Sequence, residues 1–147
     1  MRSFAVIVLA FAAPVFAADV KPWDGHYQPS SIKFDDAEQL LEADAKMRMT
    51  LVVKDGEYRM FWHKDTATEL HVRLFTADLT LDATAKNFSL SIKDGQKKGQ
   101  LLHGIYEQTK DELKLCYAPT DKPRPTTFTA AKGSGCFLEV WTTSKKK

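Results

Sequence analysis

Apolar and polar residues alternate with a period of two along most of this 147-residue chain, the spacing of a strand whose two faces meet different surroundings. Met47-Arg48-Met49-Thr50-Leu51-Val52-Val53 carries one clean apolar face, and Tyr58-Arg59-Met60-Phe61-Trp62 returns after Lys54-Asp55-Gly56. Asp-Gly pairs favour tight hairpins because both residues tolerate positive φ. Leu70, Val72 and Leu74 alternate with Glu69, His71 and Arg73, and Leu79 and Leu81 alternate with Asp78, Thr80 and Asp82. Phe88-Ser89-Leu90-Ser91-Ile92 closes on Asp94-Gly95. Further strands follow at 101–107, 113–117 and 137–141, and another surrounds His26 to Ile32. The pattern therefore predicts about eight short strands joined mostly by short turns.

One segment departs from that period. Asp35-Asp36-Ala37-Glu38 sets an N-capping aspartate three residues before a glutamate, and residues 39–45 contain neither glycine nor proline. This predicts one short helix near residues 36–45. Strands that follow one another through short turns, each with one apolar face, predict an all-β fold: a single antiparallel up-and-down barrel of about eight strands. Closing at that number removes the edges and leaves an interior wide enough for side chains or one small ligand. An open sandwich is the competing architecture. The inward set includes Met49, Leu51, Tyr58, Met60, Trp62, Val72, Phe88, Leu90 and Leu113. Methionines beside aromatics make an adaptable apolar surface, so Met49, Tyr58, Met60, Trp62, Phe88 and Leu90 are the candidate ligand-lining residues. The same residues would also serve as a solid core.

The ends set the compartment and the domain count. Arg2 followed by an apolar run from Phe4 to Phe16 is too short for a bilayer span, and Val15-Phe16-Ala17 offers a signal-peptidase site. The expectation is a signal peptide over 1–17, with residues 18–147 forming one exported domain, periplasmic or secreted, without stable membrane insertion. Removing Arg2 leaves 20 basic against 19 acidic residues, a net charge of +1. The basic cluster Lys145-Lys146-Lys147 is a solvated tail and not a nucleic-acid stripe, so no nucleic acid partner is expected. A monomer is expected.

Two cysteines in an exported chain invite a bridge. Alternation puts Leu113, Leu115 and Tyr117 on one face and Cys116 on the other, while Cys136 shares the face of Leu138 and Val140. Pairing Leu115 with Leu138 and Leu113 with Val140 would separate the thiols onto opposite faces, so a Cys116–Cys136 disulfide is not expected.

Between those two strands runs Ala118-Pro119-Thr120-Asp121-Lys122-Pro123-Arg124-Pro125-Thr126-Thr127-Phe128. Its three prolines fix φ and hold each preceding residue extended, which predicts an arm crossing one end of the barrel. Phe128 would plug that end, with Lys122 and Arg124 left in water. A rigid cationic rim of Lys122, Arg124 and Phe128, presented to an acidic ligand or partner, is the functional alternative.

Residues 103–141 resemble an uncharacterised exported family abundant in planctomycete bacteria and described as lipocalin-like. The resemblance is carried by His103-Gly104-Ile105-Tyr106-Glu107, by Leu113-Lys114-Leu115-Cys116, by Lys122-Pro123-Arg124-Pro125-Thr126 and by Gly133-Ser134-Gly135. Asp24-Gly25-His26-Tyr27 is similar to that family's opening strand and to the Gly-x-Trp start of true lipocalins, with tyrosine in place of tryptophan. The resemblance implies a lipocalin-like barrel and transfers no activity.

No candidate catalytic set is complete. His26, His63, His71 and His103 lack metal-ligand spacing, so no metal and no cofactor are expected. Ser134 has no base in reach of its sequence neighbourhood, and Asp111 and Glu112 fit a hairpin turn and a solvated strand start. Cys116 beside Lys114 is the one thiol whose pKa a neighbour could lower. The leading expectation is a non-catalytic exported binding protein holding a small apolar or amphipathic molecule in or at the mouth of the barrel. The alternative is a solid-cored module that docks a protein or envelope component through its rim loops.

Overall fold

The structure, a computed structural model, describes residues 23–38, 49–63 and 71–144. The expected signal peptide, the lysine tail and the stretch 39–45 of the expected helix lie outside the described residues. The strands are β1 (Gly25–Phe34), β2 (Ala37–Glu38), β3 (Met49–Lys54), β4 (Glu57–His63), β5 (His71–Asp82), β6 (Asn87–Ile92), β7 (Leu101–Gln108), β8 (Glu112–Pro119) and β9 (Phe137–Thr143). From β3 to β9 each strand pairs antiparallel with the next, β1 pairs with β3, and β9 returns to β1. Eight strands thus close into the barrel that the alternation demands, and β2 is a two-residue stub on β1. Closure leaves no long unpaired edge to aggregate.

Turn chemistry explains the short connections. Asp55 and Gly56 stand at φ 51° and 80°, the paired left-handed residues of a type I′ hairpin. Asp35 and Asp36 adopt the same region, at φ 55° and 67°, and turn β1 into β2. The helix expected from residue 36 onward therefore does not begin there. Short acidic side chains that can cap a helix also tolerate left-handed backbone, and here the second property wins. The Asp35 carboxylate is occupied instead by the amide of Gly133.

Two irregularities change which side chains face inward. Between β4 and β5 the register passes from Met60↔Phe75 to Phe61↔Arg73, which makes Leu74 an extra, bulged residue. The bulge shifts the alternation by one, so that Phe75, Ala77 and Leu79 turn to the interior while Leu74 stays 40% exposed. On β9 the register with β8 is Leu113↔Trp141, Leu115↔Glu139 and Tyr117↔Phe137. The expected pairing was off by one residue. A one-residue slip reverses every side chain, and here it sends Leu138 and Val140 outward and Glu139 inward.

One end of the barrel is closed by Trp23, fully buried at the entrance to β1. Its indole packs against Phe88 and Tyr106, with ring centres at 5.3 and 4.9 Å, and the Tyr27 hydroxyl donates to its carbonyl at 2.8 Å. Gly104 makes room for this packing: a Cβ there would lie 2.2 Å from the Cys116 carbonyl oxygen and 2.7 Å from the Phe88 ring. The opposite end carries the 93–100 and 120–136 connections.

The proline-rich connection does not cross that end. It folds back along the outer wall as a strap. Arg124 donates from one terminal nitrogen to the carbonyls of Phe88 and Gly104, at 3.1 and 3.0 Å, and His103 Nε2 meets the Lys122 carbonyl at 2.8 Å. Cys116 Sγ donates to the Thr129 carbonyl at 3.5 Å. Lys114 Nζ, on the outer face of β8, stands 4.8 Å from the centre of the Phe128 ring. Phe128 is thus half-buried against the wall rather than plugging an end, and Arg124 is a half-buried clasp rather than a solvated charge. Lys122 is exposed as expected. The strap explains the run of four buried residues, Leu115 to Ala118, on β8. Two of them face the interior, and the other two are covered from outside.

Candidate functional site

Above the Trp23 plug the interior is packed solid by Val53, Tyr58, Phe88, Leu90, Leu113 and Trp141, all at 0–1% exposure. Toward the loop end the packing gives way to a cavity of about 490 Å³. Ile32, Met49, Met60, Phe75, Leu102 and Phe137 form its apolar wall, and Leu74, Gln96 and Lys97 stand at its exposed rim. Tyr117 and Glu139 supply its inner polar surface. The volume falls within the roughly 300–1,000 Å³ of ordinary small-molecule sites.

The cavity exists because of what β4, β5 and β9 place there. Met49 and Met60 are unbranched and flexible, so the wall they form can adapt its shape. The β5 bulge turns Leu74 outward to the rim and Phe75 inward, its ring stacked on Tyr58 with centres 5.8 Å apart. β9 contributes the one acid, Glu139, 3% exposed. The Tyr117 hydroxyl donates to its Oε1 at 2.6 Å and Trp141 Nε1 donates to its Oε2 at 2.8 Å. Both donors are neutral. Burial pushes the Glu139 pKa up, while the two hydrogen bonds and the Lys97 charge partly oppose that shift. Burial, reinforced by the Glu139 charge, holds the phenols of Tyr58 and Tyr117 well above their usual range. The Tyr58 hydroxyl is fully enclosed and has no hydrogen-bond partner among the described residues.

Of the six ligand-lining candidates from the sequence, Met49 and Met60 line the cavity. Tyr58, Phe88 and Leu90 belong to the solid lower core, and Trp62 packs half-buried against it. Lys122 and Arg124 border a shallow depression on the outside of the strap, remote in the fold from the interior, and Phe128 faces Lys114. Glu139 had no signal in the alternation, which assigned it to solvent. Its only hint was its position between two aromatic residues, Phe137 and Trp141, large enough to claim the inner face.

Cys116 is not a reactive thiol. Burial, then the neighbouring Cys136, raises the Cys116 pKa to about 11, which outweighs the lowering by Lys114. Both thiols are unbridged and buried. They do not lie on opposite faces as the expected register required: Cys116 pairs with outward Leu138, and Cys136 lies under the same strap. Among the described residues no three His, Cys, Asp or Glu side chains are grouped to hold a metal, and no helix is long and apolar enough to cross a membrane.

No protein-family model matches the chain, and no curated protein matches it in sequence. Among solved structures the chain is similar to an uncharacterised protein from Bacteroides eggerthii, at 10% identity and a TM-score of 0.49, over 83% of this chain and 99% of that one.

Proposed function

We propose that this chain is an exported, non-catalytic binding protein that holds a small apolar or amphipathic molecule in the cavity at the loop end of its barrel. The observation that carries the reading is the cavity itself, about 490 Å³ with a mostly apolar wall, beside a core of fully buried side chains. A chain selected only for a stable core would gain by filling that volume, because unfilled space in a core costs contacts. The exposed rim of Leu74, Gln96 and Lys97 supplies an entrance. The test is uptake of a neutral solvatochromic dye such as Nile red. The wild-type chain should bind it with a blue-shifted emission. Leu102→Trp, which puts bulk into the cavity, should abolish the shift while keeping a β-sheet circular dichroism spectrum. Equal dye binding by the filled variant would defeat the proposal and leave the rim-docking alternative in its place. Native mass spectrometry of protein from its own host would then identify any co-purifying molecule.

A further inference from the structure

Glu139 breaks the pattern of its own strand. Its two neighbours on the outer face, Leu138 and Val140, are apolar, while the carboxyl group is turned into the barrel. Residues that violate the local rule without a packing gain are where function is expected. A carboxyl that merely tied β8 to β9 through Tyr117 and Trp141 would need no cavity beside it, yet Glu139 lines this one. Each of its oxygens accepts one hydrogen bond from the protein and retains capacity for another. No ion pair to it occurs among the described residues, and Lys97 at the rim is the cation whose charge acts on it.

We propose that Glu139 anchors the ammonium group of a small amphipathic amine whose apolar body fills the cavity, an inference that rests on the binding function proposed above. Three features select a cation over other head groups. Among the described residues the acid is the one anionic group on the cavity wall, and in a low-dielectric site it repels a carboxylate or phosphate head. Phe75, Tyr117 and Phe137 present aromatic rings to the same space, and ring faces attract ammonium ions. One ammonium already uses this surface: Lys97 Nζ stands 5.2 Å from the centre of the Phe137 ring. The chain's own lysine thus marks the cation position that a ligand would take over.

Binding is then linked to a proton. In the free cavity burial favours protonated Glu139, and an arriving ammonium favours the carboxylate, so the carboxyl proton leaves to solvent as the amine binds. Among the described residues, the other groups packed around it do not lose a proton in the same range. The Tyr58 and Tyr117 phenols are raised, as is the Cys116 thiol acting on Tyr117 from the outer face, Trp141 does not ionise, and Ile32 is its partner on β1. Amine affinity should therefore rise with pH through the range in which free Glu139 loses its proton. It should fall again only near the amine's own pKa of about 10.4.

The experiment is isothermal titration of octylamine, octanol and octanoate, which share one apolar chain, into the wild type, Glu139→Gln and Lys97→Ala. Octylamine should bind roughly tenfold to a hundredfold tighter than octanol, the worth of a hydrogen bond to a charged group. Glu139→Gln should bring the amine down to the octanol level and leave octanol binding intact. The wild type and Lys97→Ala, which both keep the carboxyl group, should show a heat of amine binding that varies with the ionisation enthalpy of the buffer, and Glu139→Gln should not. Lys97→Ala, a change at an exposed rim residue, should tighten the amine alone. An amine preference that survives Glu139→Gln, or octanoate binding best and weakening in Lys97→Ala, would overturn the anchor. If octanol binds and the amine binds no better, the cavity is a binding site and the role of Glu139 falls by itself. If none of the three binds, both readings fall.

Discussion

Removing the Arg124 side chain isolates what holds the strap to the barrel. Its guanidinium makes two hydrogen bonds, at 3.1 and 3.0 Å, to carbonyls on two different strands, Phe88 on β6 and Gly104 on β7. Hydrogen bonds to a charged group are worth about 1.5–3 kcal/mol each when buried. Arg124 is only half-buried and both bonds leave one nitrogen, so Arg124→Ala should cost about 2 kcal/mol in total. For a domain of this size that is a fall of roughly 6–10 °C in melting temperature. Arg124→Lys should recover part of that loss, because both bonds leave a single nitrogen and an ammonium also carries more than one donor on its nitrogen. Lys122→Ala is the control: the hydrogen bonds of Lys122 are made by its backbone, the carbonyl with His103 and the amide with Pro119, so the change should stay within about 0.5 kcal/mol. Phe128→Ala should fall in between, at about 1–2 kcal/mol, because its half-buried ring gives up only part of the roughly 3–5 kcal/mol of a fully buried one. Urea titration of the four variants, followed by tryptophan fluorescence, measures these differences. Limited proteolysis within 120–135 should accelerate in Arg124→Ala before the barrel unfolds. If Arg124→Ala melts with the wild type while Phe128→Ala loses 3 kcal/mol or more, of the order of a fully buried ring, the clasp is wrong and the ring alone holds the strap.

Two further outcomes test the interior. Gly104→Ala should destabilise by about 3 kcal/mol, the upper part of the overpacking range, because the added carbon meets the Cys116 backbone at 2.2 Å and cannot be relieved by a rotamer change; a melt within 2 °C of the wild type would refute the close approach. Glu139 has a raised folded pKa, so its contribution to stability is complete below the usual carboxyl value of about 4.3 and is lost as pH rises through the folded value. Wild-type stability should therefore decline across that window relative to Glu139→Gln, whose amide cannot ionise. Parallel pH profiles for the two chains, measured by chemical denaturation, would contradict the shift.

The barrel was legible because its cause is local. Period-two alternation in short segments, punctuated by Asp55-Gly56 and similar turns, commits each strand to one buried face, and eight such strands in a meander have closure as the way to hide their edges. Met49 and Met60 could be named from that pattern alone. Alternation fails wherever both faces of a strand are covered or a residue is inserted. At 136–141 one face carries Cys136, Leu138 and Val140 and the other Phe137 and Trp141 around Glu139, so apolar residues on both faces leave the inward one undecided. Inward orientation was then decided by register, and register depends on which side chains the whole interior can accept. Trp141 and Phe137 filled it and carried Glu139 in with them. Leu74 changed role through a bulge that exists only as a mismatch between two strands. Arg124 shows the same limit from outside: an arginine between two prolines looks solvated until two carbonyls from strands far away in the chain arrive beside it. Local alternation thus determined the strands and their closure. The cavity, its buried acid and the course of the strap were decided by tertiary contacts, since each depends on atoms that only the closed barrel brings together.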